Sequence, residues 1–322
     1  SNSITASTND LSAAYFNPAG LTNISSDIQV AAMHSEYFAG ISKYDYAAVA
    51  FPIEKGKRYL GITGIRFAVD DIPNTLQLFN PDGTLNYDNI KSFSVGDYAF
   101  LVSYAQNMKK EGLSIGGNVK IIYRSAGSFA TAWGFGLDVG GKYQMNNLVL
   151  GVMLKDITTT FNAWSFEFTE DELEILEATN NELPKSSTET TNPRINLGVG
   201  YNFTLSEKIG LLSELDFDVT TDGQRNTLIS SDPISVDPHL GIELDYDDFI
   251  FLRAGLGNIQ ESLDDLDPSK KITTMQPNIG AGFIIGNLAL DYALTDVGDQ
   301  SQALYSHVFS LRLDINRKDK NN

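Results

Sequence analysis

The chain has 322 residues, of which 42% are hydrophobic and 20% charged; it has no cysteine and a formal net charge of −18. The lack of cysteine excludes disulfides, thiolate catalysis and cysteine-ligated metals, and the acidic balance argues against nucleic acid, whose phosphates select basic surfaces. No run approaches the roughly 18 consecutive apolar residues that a spanning helix needs, so a helical membrane protein is excluded.

Ser1 opens the sequence without a basic n-region or apolar h-region, so any signal peptide is expected to have been removed. The first distinctive run is Asn9-Asp10-Leu11-Ser12-Ala13-Ala14-Tyr15-Phe16-Asn17-Pro18-Ala19-Gly20-Leu21. It is helix-compatible up to Phe16, with Asp10 or Ser12 available as a cap, and Pro18 pushes Asn17 out of helical geometry. The run is too apolar for a free tail. Inside a barrel lumen it would act as a plug or hatch, where irregular backbone is tolerated.

From residue 28 onward the dominant pattern is period-2 alternation in segments of about ten residues. It predicts strands at 28–38, 42–53, 58–70, 93–107, 113–124, 129–143, 147–156, 194–204, 208–220, 234–246, 249–258, 272–285, 288–295 and 302–316, about fourteen in all and an even number. Ile195, Leu197, Val199, Tyr201 and Phe203 share one face, opposite Arg194, Asn196, Gly198, Gly200 and Asn202. Carboxylates such as Glu214 with Asp216, and Glu243 with Asp245, recur on the polar face, where Lys120, Arg124, Arg194, Arg253 and Arg312 would balance them. Connections at 54–57, 108–112, 144–147, 205–207, 247–248 and 286–287 are tight, whereas 71–92, 157–193, 221–233 and 259–271 are long and polar.

A soluble β-sandwich or propeller also alternates. Regular short and long connections, aromatic strand ends such as Tyr201 and Tyr246, and glycines inside strands favour instead an all-β transmembrane antiparallel barrel in a bacterial outer membrane. The expected division is a plug at 1–27, a barrel at 28–316 and a polar tail at 317–322. With the short turns periplasmic, both termini face the periplasm.

The run from Asn9 to Leu21 resembles the N-terminal signature of FadL-like outer-membrane proteins, and more closely the PorV/PorQ branch found in Bacteroidetes. The resemblance implies a plugged fourteen-stranded barrel with Asn17, Pro18, Ala19 and Gly20 in the hatch. It further implies one of two roles. PorV-like members serve type IX secretion without being enzymes, binding a cargo C-terminal domain or docking with the translocon. FadL relatives conduct long-chain fatty acids or other hydrophobic compounds through a lateral opening, and the docking role is the expectation adopted first. The ending on Asn316 and a polar tail departs from the terminal aromatic of many outer-membrane barrels.

Catalysis would need a constellation that the sequence lacks. His34, His239 and His307 are far apart, no phosphate loop or nucleophile elbow occurs, and no cofactor or metal is expected. A lumen wetted around Asp and Glu explains the acid pairs more simply than acid–base chemistry. Recognition is expected at the long excursion bearing Phe161, Trp164, Phe166 and Phe168. There a helix capped by Thr169 with Glu172 presents Leu173 and Leu176, for a protein partner or as a lid over the barrel mouth. The Asp264-Asp265-Leu266-Asp267 run lacks the full calcium-loop pattern.

Overall fold

A computed structural model describes residues 2–80, 83–178, 182, 186–263, 267, 269–295, 297 and 306–316. The alternating segments form a closed antiparallel barrel of fourteen strands. They are β1 (Ile28–Tyr37), β2 (Ser42–Glu54), β3 (Arg58–Asn74), β4 (Lys91–Asn107), β5 (Leu113–Ala126), β6 (Ala130–Met145), β7 in two pieces (Leu148–Lys155 and Thr160–Phe166) and β8 in two pieces (Ser187–Thr191 and Arg194–Ser206). The remainder are β9 (Ile209–Thr220), β10 (Ser235–Tyr246), β11 (Ile250–Leu263), β12 (Lys271–Ile285), β13 (Leu288–Thr295) and β14 (Ser306–Ile315). Each pairs with its neighbour in sequence. β14 returns to β1 in a register running from Ile28↔Ile315 to Glu36↔His307, so the sheet closes on itself.

Burial is inverted relative to a soluble sheet protein. Phe100, Val102, Ile121, Leu150, Val199, Leu240, Phe283 and Leu311 are exposed on the outer face, while Ser103, Asn118, Asp138, Lys142, Glu214 and Asp216 are buried on the inner one. A soluble monomer does not present so continuous an apolar surface; a barrel wall facing hydrocarbon does. Aromatic residues collect at two levels of this belt. Tyr104, Tyr201, Phe203, Tyr246 and Phe249 lie exposed toward the end with the short turns. Toward the other end, Tyr98, Tyr123 and Trp133 stand on adjacent strands with ring centroids 6.0 and 4.8 Å apart.

The short turns carry the backbone they require. Asp247 and Asp248 both have positive φ, 56° and 52°, the mirror-image turn that matches strand twist. At the opposite end the long connections depart from expectation in one respect. Residues 157–193 are not one loop, because Thr160–Phe166 continues β7 and pairs with β6, and Ser187–Thr191 continues β8 and pairs back onto Thr160–Trp164. The reason is a break in β7: seven steps from Leu154 to Phe161 span only four on β6, from Val139 to Phe135. Asp156 and Thr159 absorb the surplus with left-handed φ of 56° and 59°. β3 and β11 likewise run past bulges, at 69–72 and 257–260, to end at Asn74 and Leu263. The expected start of the last strand at 302, most of the acidic run at 264–267 and the tail at 317–322 lie outside the described residues.

Candidate functional site: the N-terminal segment and the cavity beside it

Inside the barrel lies the segment before β1. Its helix is only four residues long, Ala13–Phe16, followed by a 3-10 turn at Pro18–Asn23. Ser12 stands at the N-cap without a side-chain capping bond; its N–H instead donates to Asp10 Oδ1 at 2.8 Å. The molecule's buried apolar cluster forms where this segment meets the wall: Leu11, Ala13, Leu21 and Ile24 pack against Ala48, Ala50, Tyr59 and Ala105.

Polar side chains from around the wall hold the segment's backbone. Asp216 Oδ2 accepts from the N–H groups of Ile4 and Thr5 at 2.9 and 2.8 Å, and Glu214 accepts from Ala6 and Ser7 at 2.6 and 3.0 Å. This corrects the expectation of a wetted acid pair: both carboxylates are buried, and the groups that surround them are four successive amides. Lys142 Nζ donates to the Thr8 carbonyl at 2.8 Å, Tyr46 Oη to that of Leu11 at 2.7 Å, and Asn118 Nδ2 to that of Ala14 at 2.8 Å. Gln29 accepts from Leu11 N–H at 2.9 Å, and Arg312 pairs with Asp10 at 2.7 Å.

All four hatch residues named from the sequence are buried here. Asn17 donates to the carbonyls of Thr5 and Gly141 at 2.9 and 3.1 Å and accepts from Ala19 N–H at 3.2 Å, closing the turn that Pro18 begins. The in-strand glycines supply its seat. Gly116 and Gly140 are cross-strand partners, as are Gly151 and Gly198. A Cβ on Gly116 would stand 2.5 Å from the Pro18 carbonyl carbon, and one on Gly198 2.8 Å from Ala6 N. Alternation marked Gly140 and Gly198 as strand interior, but no signal in the sequence assigned these glycines to the approach of the segment.

The residues expected to meet a partner are divided by the wall. Phe161 is exposed on the outer face. Trp164 and Phe166 turn inward from β7 with centroids 6.3 Å apart; the Trp164 indole donates to Glu189 at 3.0 Å and lies under Arg124. Phe168 packs on Phe129 at 6.1 Å. The helix Glu170–Ala178 forms as its capping box predicts, with Thr169 N–H donating to Glu172 at 2.8 Å, and Leu173 and Leu176 are half-buried on it. Four of the five predicted inward cations find acids: Lys120 meets Asp138 and Asp156 at 2.7 and 2.5 Å, Arg124 meets Asp97 at 2.7 Å, Arg253 bridges Glu243 and Asp291, and Arg312 meets Asp10, whereas Arg194 is exposed at the start of its strand piece.

Between the segment and the long-loop end lies a cavity of about 810 Å³. One side is aromatic, with Tyr15 and Phe16 from the segment and Tyr37, Phe38, Tyr44 and Tyr46 from β1, β2 and their connection. The other side is polar and includes Asp218, Asp237, His239 and Gln276. A second cavity of about 320 Å³ shares Phe16, Asn278 and Ser310 with the first and runs past Ser3, Ile4 and Ser7 along β10–β14. No residue pattern along the chain marks either space. His34 and His307 are engaged elsewhere, with Asp45 at 2.7 Å and Tyr292 at 2.9 Å.

No family model and no curated protein matches the sequence. Solved structures match its fold. The CymD monoaromatic hydrocarbon channel is 11% identical with a TM-score of 0.58, over 97% of this chain and 95% of that one. The Pseudomonas putida toluene transporter TodX is 12% identical with a TM-score of 0.58, over 98% and 97%. A Pseudomonas aeruginosa FadL homologue is 13% identical with a TM-score of 0.52, over 97% and 96%. The likeness is one of fold, and it covers nearly the full length of this chain.

Proposed function

We propose that this FadL-like barrel is a non-enzymatic outer-membrane conduit for a hydrophobic compound, with the N-terminal segment as its plug and Asn17, Pro18, Ala19 and Gly20 as the hatch. The observation that carries the reading is the aromatic cavity set directly against the segment and continued past it by the smaller space. Such a concave, mostly pre-formed site with a few placed polar groups suits a small apolar ligand. The folds shared with CymD and TodX, named as a hydrocarbon channel and a toluene transporter, support the same reading. With the short turns periplasmic, both termini lie in the periplasm and the cavity opens toward the outside.

The docking role in type IX secretion rests on the likeness of the Asn9–Leu21 run to PorV/PorQ proteins, with the helix Glu170–Ala178 as the surface a cargo or translocon subunit would meet. It stands second, since the interior cavity answers to a small molecule. Purification in a mild detergent followed by native mass spectrometry separates the two. The conduit reading expects a bound lipid or detergent that Tyr44→Ala with Tyr46→Ala loses. An empty barrel that co-purifies stoichiometrically with a large secretion subunit would overturn it in favour of docking.

A further inference from the structure

Among the described residues, the ionisable groups around the larger cavity do not balance. Asp10 is engaged by Arg312 at 2.7 Å, and Asp291 by Arg253. Arg312 is itself held between Asp10 and Asp314, the latter at 3.7 Å. Each of these arginines is shared between two acids, so each of the two groups keeps one negative charge; the other charged groups at the cavity are a group of three on β9 and β10. Asp218 and Asp237 face each other across the strand pair, and His239 follows on the same inner face. His239 Nε2 lies 3.6 Å from Asp218 Oδ2 and 3.5 Å from Asp237 Oδ2, too far for hydrogen bonds. The imidazole is only 6% exposed; among the described residues its ion partners are these two carboxylates, neither ring nitrogen has a hydrogen bond within 3.5 Å, and Asp237 Oδ1 has none either. Asp218 accepts from Asn196 Nδ2, a neutral donor that leaves its charge in place.

The imbalance holds for either state of the histidine. With His239 neutral the group carries two negative charges, and with His239 protonated it still carries one. A buried polar group without a partner is costly, and natural proteins keep such groups where a ligand or function needs them. Across the cavity stand the rings of Tyr15, Tyr44 and Tyr46, which offer apolar area to the body of a ligand. Among the described residues, the arginine that lines the cavity, Arg312, is already paired and so is not free to receive a carboxylate head.

We propose that the cavity selects, among hydrophobic compounds, those that carry a protonated amine, with the apolar body on the tyrosine side and the ammonium at Asp218 and Asp237. An ammonium is a donor with three N–H groups and no acceptor, the complement of carboxylates that accept only. Charge-assisted hydrogen bonds to such a head are the stronger kind. A fatty-acid carboxylate would meet like charge at the same place. This assignment rests on the conduit reading and refines its ligand.

The test is calorimetric titration of the full-length protein in detergent micelles with three probes of one shape: 4-phenylbutylamine, butylbenzene and 4-phenylbutyrate. The amine is expected to bind at least about tenfold more tightly than either other probe, the scale of one charge-assisted hydrogen bond. Asp218→Asn with Asp237→Asn should bring the amine to the affinity of butylbenzene while leaving butylbenzene unchanged. Heat-shifted gel migration confirms that the variant barrel is folded. Binding of butylbenzene or the carboxylate as tightly as the amine overturns the head-group assignment and leaves the conduit standing. An amine affinity unmoved by the double variant also overturns it. Binding of none of the three overturns both.

Discussion

Glu214 and Asp216 do for residues 4–7 what a neighbouring strand would otherwise do, since each supplies acceptors for two successive backbone N–H groups. Bonds of this charged kind contribute roughly 1.5–3 kcal/mol each, against about 0.5–1.5 for neutral ones. Glu214→Gln with Asp216→Asn keeps the volume and removes the charge. Limited proteolysis should then cut within the first ten residues several-fold faster, while the barrel keeps its heat-shifted migration. An unchanged cleavage rate would show that the carboxylates do not hold the segment. The glycine seat makes a separate claim. Gly116→Ala places a methyl group 2.5 Å from the Pro18 carbonyl carbon, whereas the same change at Gly64 meets nothing nearer than Phe100 at 3.9 Å. Overpacking of this sort costs typically about 1–3 kcal/mol, so urea unfolding in detergent should resolve a loss for Gly116→Ala and little for Gly64→Ala.

The strands show where sequence alone suffices. Alternation located all fourteen, and β13 at Leu288–Thr295 coincides with its expected span, because one wall face meets an apolar medium and the other a polar interior. The same contrast predicts a depth-dependent penalty. Val199→Arg, in the middle of the outer belt, should destabilise the barrel by about 2–4 kcal/mol in vesicle refolding, and Leu228→Arg, in a loop, by well under that. Equal effects would mean that the belt does not sit in hydrocarbon. Alternation failed at the break in β7. Leu150, Val152 and Leu154 point outward before it and Phe161 and Ala163 after it, so the outward positions change from even to odd numbers. A pattern that changes phase looks like a loop, and the second piece of β7 and the first piece of β8 were hidden for that reason. The candidate site was legible only in part. Proline and apolar content marked the segment, but its wall partners are many residues away along the chain, and the cavity is a by-product of closure that local pattern cannot express.

At the scale of the molecule, the barrel and its contents are separable in energetic terms. Strand pairing and the outer belt sustain the wall, and the apolar cluster around Leu11 and Leu21 secures what lies within. Removal of residues 2–24 should therefore leave an assembled barrel that conducts ions across a planar bilayer in discrete steps, where the full chain stays nearly silent. Matching conductance in the two would remove the segment from the role of plug. The ties of the segment also impose an order in time. Its acceptors and donors sit on β1, β2, β5, β6, β9 and β14, at Gln29, Tyr46, Asn118, Lys142, Glu214 and Arg312. Those strands converge only when Ile315 docks beside Ile28. The segment that precedes every strand in the chain is thus the last part to become fixed. In pulse-labelled hydrogen exchange during assembly, the amides of Ile4–Ser7 should gain protection together with the β1–β14 seam and not with the early hairpins.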